Sequence, residues 1–152
     1  MSESESRAPP VVIDGRNVAG YSLKQDGWQW QLVIDAATFH QAEGSQVHAV
    51  IPNWMPKEFL KPLEKVAGII KFAPTSDKDK EGDDKLALGR TALVDGFIIT
   101  NDKKIGKHTR GDLLTREWCA SHRIGFRFDD DGYTPFYPVM WKTNTANLEI
   151  ET

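Results

Sequence analysis

The sequence has 152 residues, the length of about one domain; 39% of them are hydrophobic and 27% are charged. Such a composition is typical of a folded globular domain and excludes an intrinsically disordered chain. The formal net charge of −3 argues against nonspecific wrapping of duplex DNA, which requires many phosphate contacts, but it is compatible with a local basic patch.

The cellular compartment is constrained by the single cysteine and by the absence of an apolar leader. Cys119 cannot form an internal disulfide, and the chain does not open on a secretory signal sequence. No apolar stretch approaches the ~20 residues that a membrane-spanning helix needs. We therefore expect no membrane insertion and a cytoplasmic location, with the nucleus as the alternative.

Short apolar segments recur along the chain. Residues 1–10 are polar, charged and end in two prolines, so we expect a disordered tail before the fold. The run at 11–13 predicts a strand that is buried on both faces. Similar runs follow at 47–51, 68–72, 96–100 and 124–128, and helical periodicity separates them, notably at 30–39 and 86–93.

This alternation of strands and helices predicts an α/β fold with a mostly parallel central sheet flanked by helices in three layers. We expect one domain over residues 11–140. Residues 129–132 are predicted to form a turn, and the segment with Pro135 and Pro138 is predicted to be extended. Residues 141–152 are predicted to form a C-terminal extension.

Acidic residues follow two of the predicted strands. Asp14 ends the first strand and Asp102 ends the fourth, where ligands bind in open parallel sheets. Asp83 and Asp84 begin the helix before the fourth strand, and a right-handed crossover starts that helix at the same edge. Asp95 begins the fourth strand, about 16 Å from its end, so we exclude it from the site.

Carboxylates that crowd one edge repel each other unless a cation neutralises them. Oxygen ligands suit Mg²⁺, with Mn²⁺ as the alternative, and the implied chemistry is phosphodiester hydrolysis. Each acid alone also has a structural interpretation, as a turn residue or a helix cap. The convergence of three acidic sites on one edge favours the metal site.

Three ordered motifs carry a resemblance to a known family. They are VVIDGRNVA at 11–19, DDKLAL at 83–88 and DGFIITND at 95–102. They resemble the NYN branch of the PIN-like nucleases and, more narrowly, the Regnase-type ribonucleases. The resemblance implies a PIN-like fold and a metal-dependent endoribonuclease that acts on single-stranded or loop RNA in mRNA decay. It implies four catalytic acids, supported by Asn17: Asp14, Asp83, Asp84 and Asp102.

The sequence departs from this family at one acid. Family members carry a further aspartate four residues after the position of Asp102, where this chain has Gly106. We predict that Asp112 takes over this role, so that the metal ligands are Asp14, Asp84, Asp102 and Asp112. No zinc finger follows the motifs, so we keep a homodimer or protein partners that supply targeting among the expected partners.

RNA contacts are predicted next to the acids. A basic loop follows Asp102, and Trp54 follows the second strand, where it can stack on an unpaired base. A solvated loop and a tryptophan packed on the next helix are the structural alternatives. The predicted RNA-binding residues are Arg16, Trp54, Lys103, Lys104, Lys107 and Arg110.

Three other functions remain to be distinguished from RNA cleavage. The first is an NYN-type RNA-binding module with impaired catalysis, and the second is a nuclease acting on DNA or structured RNA. The third, a dinucleotide-binding enzyme, is disfavoured because no glycine-rich phosphate turn follows the first strand.

Overall fold

The computed structural model describes residues 8–21, 27–73, 81–103 and 116–143, with the backbone alone described at 81–84 and 116. A six-stranded sheet runs through its centre. The strands are β1 (Val11–Asp14), β2 (Val47–Pro52), β3 (Ile69–Ala73), β4 (Phe97–Ile99), β5 (Arg123–Asp129) and β6 (Gly132–Phe136).

The sheet is parallel except at one edge. The strand order is β3-β2-β1-β4-β5-β6, and only the β5–β6 pair is antiparallel. The five strands predicted from apolar runs are confirmed. Since β1 pairs with β4 in the register Ile13↔Ile99, the ends of these two strands are neighbours, as the sequence predicted.

The sixth strand corrects the prediction of an extended tail at 135–138. Gly132 has φ 100, which turns the chain back so that β6 pairs with β5. Pro135 opposes Phe126 in this pair. A proline is tolerated there because β6 is an edge strand.

Helices cover both faces of the sheet. They are α1 (Gly15–Ala19), α2 (Gln31–Ala42), a 3₁₀ turn (Lys57–Phe59), α3 (Leu60–Glu64), α4 (Glu81–Leu93) and α5 (Arg116–Ser121), and residues 139–143 are also helical. The helices predicted around 30–39 and 86–93 correspond to α2 and α4. The predicted three-layer α/β arrangement is confirmed.

One hydrophobic core lies on each face of the sheet, between the sheet and the helices that cover it. The side chains of successive strand residues enter the two cores alternately. Val11, Ile13 and Ile99 belong to the larger core, which α1, α2 and α3 cover. Val12 and Ile98 belong to the smaller core, which includes Ala87, Leu88 and Cys119 of α4 and α5. We call the face of the sheet that contacts the smaller core the α4 face.

Both predicted domain ends make contacts with the fold. The Phe97 N–H donates to the Pro10 carbonyl oxygen at 2.9 Å, and Ala8 packs against the larger core. Trp141 is buried and its ring stacks on Tyr137 at 4.6 Å between centroids. Residues 8–10 and the first residue of the predicted C-terminal extension are therefore packed on the domain.

In the part of the chain that the structure describes, no helix combines the length and the apolar character needed to cross a bilayer.

Candidate functional site

Asp14 lies at the carboxyl end of β1 and is almost completely buried, with 2% of its surface exposed. Its Oδ1 accepts the Asn17 N–H at 3.5 Å, which caps α1. Its Oδ2 accepts the Thr100 hydroxyl at 2.9 Å. A buried carboxylate needs such donors because it has lost its water shell.

Thr100 joins Asp14 to Asp102. Its hydroxyl donates to Asp14 and accepts the Asp102 N–H at 3.2 Å. The two predicted acids therefore lie at the carboxyl ends of the adjacent strands β1 and β4, and both are hydrogen-bonded to Thr100, Asp14 through its carboxylate and Asp102 through its backbone N–H. Asp102 itself is half-buried.

Asn17 and Asn101 connect α1, the end of β4 and the middle of β5. The Asn101 N–H donates to Asn17 Oδ1 at 2.8 Å, which links α1 to the end of β4. The Asn101 side chain donates to the Phe126 carbonyl at 2.9 Å and accepts the Phe126 N–H at 2.8 Å. The Asn17 carboxamide oxygen thus contacts the end of β4 that leads to Asp102.

The other predicted acids fall on less completely described segments. The backbone of Asp83 and Asp84 is in the first turn of α4, whose last turn leads through Asp95 to the amino end of β4. The first turn of α4 is therefore at the carboxyl edge, but the two side chains lie outside what the structure describes. Asp112 also lies outside the described residues.

Asp95 is exposed at the opposite end of β4 and has φ 55. Its position two residues before the strand agrees with its exclusion from the site.

Among the described side chains, no group of three or more histidine, cysteine or acidic residues is arranged to hold a metal ion. The acids present, Asp14 and Asp102, are nevertheless a donor set that fits a hard divalent cation. Mg²⁺ uses one or two carboxylates and fills its other positions with water and substrate oxygens.

Trp54 belongs to an aromatic cluster beyond the end of β2. Its ring meets those of Trp28 and Trp30 edge-on, at 5.3 Å and 5.6 Å between centroids. The Arg16 guanidinium lies 5.7 Å from the centroids of both Trp28 and Trp54. Trp54 remains 40% exposed, so it packs on its neighbours and still presents a surface to solvent.

Lys103 directly follows Asp102 and is exposed. The remaining predicted basic residues, Lys104, Lys107 and Arg110, lie outside the described residues.

Sequence reasoning missed the residues that connect the acids. Thr100 and Asn101 act across strands, and their importance depends on the register of β1, β4 and β5. A weak signal existed, because two polar residues between a buried strand and Asp102 are unusual unless their hydrogen bonds are satisfied. Trp28 was missed because it contacts Trp54, a residue in a separate turn that is far from it in sequence.

Two buried histidines, His40 of α2 and His48 of β2, have displaced pKa values. Burial lowers the pKa of His40 to about 4. Burial lowers the pKa of His48 as well, and the nearby Arg90 and Lys71 charges contribute. His40 bonds to the Tyr133 hydroxyl at 2.8 Å, and His48 accepts from Arg90 Nε at 3.3 Å. These groups therefore concern stability.

Comparisons with known proteins agree with this architecture. The solved structure of nuclear proteinaceous RNase P 2 (PRORP2) from A. thaliana is similar with a TM-score of 0.60 and 15% identity, over 86% of this chain and 30% of that chain. The likeness confirms the PIN-like fold, and the chain spans less than a third of that protein's length. A comparison with curated proteins finds no match.

The sequence itself matches the family described as the Zc3h12a-like Ribonuclease NYN domain over residues 7–145. This match covers all of the described sheet, including Asp14, Thr100 and Asp102, and it confirms the resemblance found in the three motifs. The chain belongs to the Zc3h12a-like NYN ribonuclease family, a family of RNA nucleases.

Proposed function

We propose that this domain is an endoribonuclease that cleaves single-stranded or loop RNA with a divalent cation at the carboxyl edge of the sheet. The observation that carries the proposal is the Asp14–Thr100–Asp102 connection. It brings two acidic residues from separate parts of the chain to one edge, and it fixes the carboxylate of Asp14 and the backbone of Asp102. The proposed cation is Mg²⁺, with Mn²⁺ as the alternative.

The proposed metal ligands are Asp14, Asp84, Asp102 and Asp112, with Asp83 as a further catalytic acid. A bound divalent cation supplies Lewis-acid stabilisation of the charge that develops on phosphate oxygens and activates water as the nucleophile. Within the chain, the Thr100 hydroxyl and the Asn17 N–H fix the Asp14 carboxylate. Asn101 fixes the strand end that leads to Asp102.

The aromatic cluster supports a preference for unpaired RNA. Trp54 packs edge-on against the stacked pair Trp28 and Trp30, so stacking a base on its exposed surface requires little further ordering. Arg16 is two residues from Asp14 and lies near both indoles, where its charge can face the RNA backbone. The basic segment with Lys103, Lys104, Lys107 and Arg110 is proposed to add phosphate contacts.

Glycine at position 106 favours one competing function, a catalytically impaired RNA-binding module. In that case RNA binds but is not cut with any metal. A nuclease acting on DNA or structured RNA uses the same chemistry and differs in substrate alone. A role in mRNA decay and the use of a homodimer or targeting partners are extensions of the same proposal.

The test is cleavage by the purified protein of an end-labelled single-stranded RNA, the same RNA in a duplex, and DNA of the same sequence. Each is incubated with Mg²⁺, Mn²⁺ or EDTA. We expect internal cuts in single-stranded RNA with either metal and none with EDTA. Binding without cutting in both metals supports the impaired module, and stronger cutting of the duplex or the DNA contradicts the proposed substrate.

A further inference from the structure

Arg123, the first residue of β5, shares a face of the sheet with Asp14. Its register partner is Ile98, whose side chain is in the core below α4. Because side chains alternate along a strand, Asp14 follows Val12, and Thr100 follows Ile98, onto that α4 face. Asp14, Thr100 and Arg123 therefore lie on three adjacent strands and on one face.

The Arg123 side chain extends toward the carboxyl edge. Its Nη1 donates to the Thr100 carbonyl oxygen at 3.4 Å, two residues beyond the register partner Ile98. That is a reach of about 7 Å along the strand. Gly125 provides the space, since a Cβ there would lie 3.2 Å from Arg123 Nη1 and 3.3 Å from Asn101 Oδ1.

Among the side chains that the structure describes, no acid pairs with the Arg123 guanidinium. Over the described ranges, its guanidinium donates to the Thr100 carbonyl, and the ion pair of this strand is made by Arg127 instead. Arg127 Nε lies 3.1 Å from Asp129 Oδ2, and its guanidinium covers the Phe136 ring. Arg123 is half-buried and keeps most of its five N–H donors for another acceptor.

We infer that Arg123 is a phosphate-binding residue that holds the RNA backbone beside the acidic edge. This inference rests on the proposed function, because RNA is what brings a phosphate to this place. The planar guanidinium suits two phosphate oxygens, and one face of it is already fixed by the strand below. Its bond to the Thr100 carbonyl places a cation at the residue that also contacts Asp14 and Asp102, two acids whose charges would otherwise repel a polyanion.

Binding of a fluorescent single-stranded RNA in EDTA tests this inference without any cleavage. Arg123→Gln removes the charge and keeps a polar amide side chain at this position. We expect binding about tenfold weaker at low salt. The slope of log K against log salt should fall by about 0.7, as for one lost phosphate contact on a single strand.

Arg127→Gln is the matched control, since Arg127 is on the same strand and the same face but is paired with Asp129. We expect its affinity and salt slope to equal those of the wild type. Arg123→Lys keeps the charge and should retain the salt slope while losing part of the affinity.

Gly125→Ala is the second variant, because it leaves every charge in place and crowds the Arg123 guanidinium. Binding should weaken several-fold, and thermal melting verifies folding of each variant. The inference is overturned if folded Arg123→Gln binds RNA with the affinity and the salt slope of the wild type. If Arg123→Gln does not fold, unchanged RNA binding by Gly125→Ala overturns it instead. Wild-type protein that binds RNA but never cuts it contradicts the nuclease proposal alone, whereas failure to bind contradicts both.

Discussion

Thr100 shows at the residue scale how a small polar side chain can organise two charged ones. Its hydroxyl donates to Asp14 and accepts from the amide of Asp102. The orientation of the first acid and the backbone of the second therefore depend on the same oxygen. Replacing it changes the site without changing its charge.

We expect Thr100→Val, which has nearly the same shape, to lower metal-dependent RNA cleavage about tenfold, equivalent to ~1.4 kcal/mol of transition-state stabilisation. The Mn²⁺ concentration for half-maximal cleavage should rise, because Asp14 loses a fixed donor. Loss of the two hydrogen bonds should also lower the unfolding free energy by about 1–3 kcal/mol. Cleavage rates across a Mn²⁺ titration measure the loss of activity and the shift in half-maximal Mn²⁺ concentration. Denaturant unfolding measures the loss of stability.

Thr91→Val is the control, because Thr91 is buried in α4 and its hydroxyl donates only to the Ala87 carbonyl within that helix. It should affect stability and leave the cleavage rate unchanged. Equal rates for Thr100→Val and Thr91→Val would mean that the Thr100 connection is structural.

Residues differ in how far the sequence predicts them. Asp14 and Asp102 were predictable because each directly follows an apolar run, so position along the chain alone indicates the edge. Thr100 and Arg123 act on neighbours that are far away in sequence, at separations of 86 and 23 residues. Their contacts follow from strand register, which a single sequence does not specify.

Helix α1 is capped by Asp14, carries Arg16 and Asn17, and packs very closely on β2. A Cβ at Gly15 would lie 2.7 Å from both Ile51 Cγ2 and the Val50 carbonyl oxygen. This approach requires a residue without a side chain. The glycine of the Asp-Gly pair is thus needed for packing, in addition to its compatibility with a turn.

We predict that Gly15→Ala displaces α1 and lowers the unfolding free energy by about 1–3 kcal/mol, the range for an overpacked core. RNA cleavage should fall as well, because the Asn17 N–H and Arg16 move with the helix. Gly89→Ala is the matched control, since a Cβ at Gly89 in α4 meets nothing within 4 Å.

The control should be stabilised by about 0.5–1 kcal/mol, as expected for removing a glycine from a helix interior. Thermal and denaturant unfolding measure both variants. A Gly15→Ala protein with wild-type stability and activity would contradict this prediction, because it would mean that β2 can shift to accommodate the added methyl group without cost.

At the element scale the parallel strands and the turn at 129–132 were predictable, and the strand β6 that follows the turn was not. Continuous apolar runs in the sequence predict the parallel strands, whereas β6 has only partly buried or exposed residues and contains Pro135. The side chains of β6 lack an apolar pattern because none of them is fully buried. The position of β6 is set by its pairing with β5 across the Gly132 turn.

The stability of the whole molecule is coupled to pH through His40, which is buried between α2 and β6. Burial holds the pKa of His40 at about 4, below its usual 6.5, and its Nε2 is bonded to Tyr133. The unfolded chain therefore binds a proton more readily than the folded chain between these values. Its contribution is fully present above pH 6.5 and is lost as the pH falls toward 4.

We expect the unfolding free energy to fall by about 3 kcal/mol over this interval through His40 alone. His40→Gln keeps a side-chain donor for Tyr133 and should flatten the pH dependence. Tyr133→Phe removes the hydrogen bond but retains the burial, so it should lower stability at each pH and keep the slope. Urea unfolding between pH 4 and 7 decides; equal slopes in wild type and His40→Gln would contradict this account.

At the scale of the whole molecule, the fold class and the position of the acidic edge followed from the sequence because a parallel α/β sheet leaves few topologies. The arrangement of Trp28, Trp30 and Trp54 did not, since it depends on how separate turns meet beyond β1 and β2. Such loop contacts are also where RNA specificity is expected.

The central claim, that the carboxyl edge of the sheet cuts RNA, is tested most directly by comparing Asp14→Asn with Asp95→Asn. Both remove one aspartate charge, but Asp14 is buried at the edge and Asp95 is exposed at the other end of β4, with φ 55, which asparagine tolerates. The measurement is the rate of cleavage of labelled single-stranded RNA in saturating Mn²⁺, with melting as the check on folding. We predict a loss of about 100-fold or more, ~2.7 kcal/mol, for Asp14→Asn and a wild-type rate for Asp95→Asn. A folded Asp14→Asn protein that cuts at the wild-type rate, or an inactive Asp95→Asn, would contradict the account.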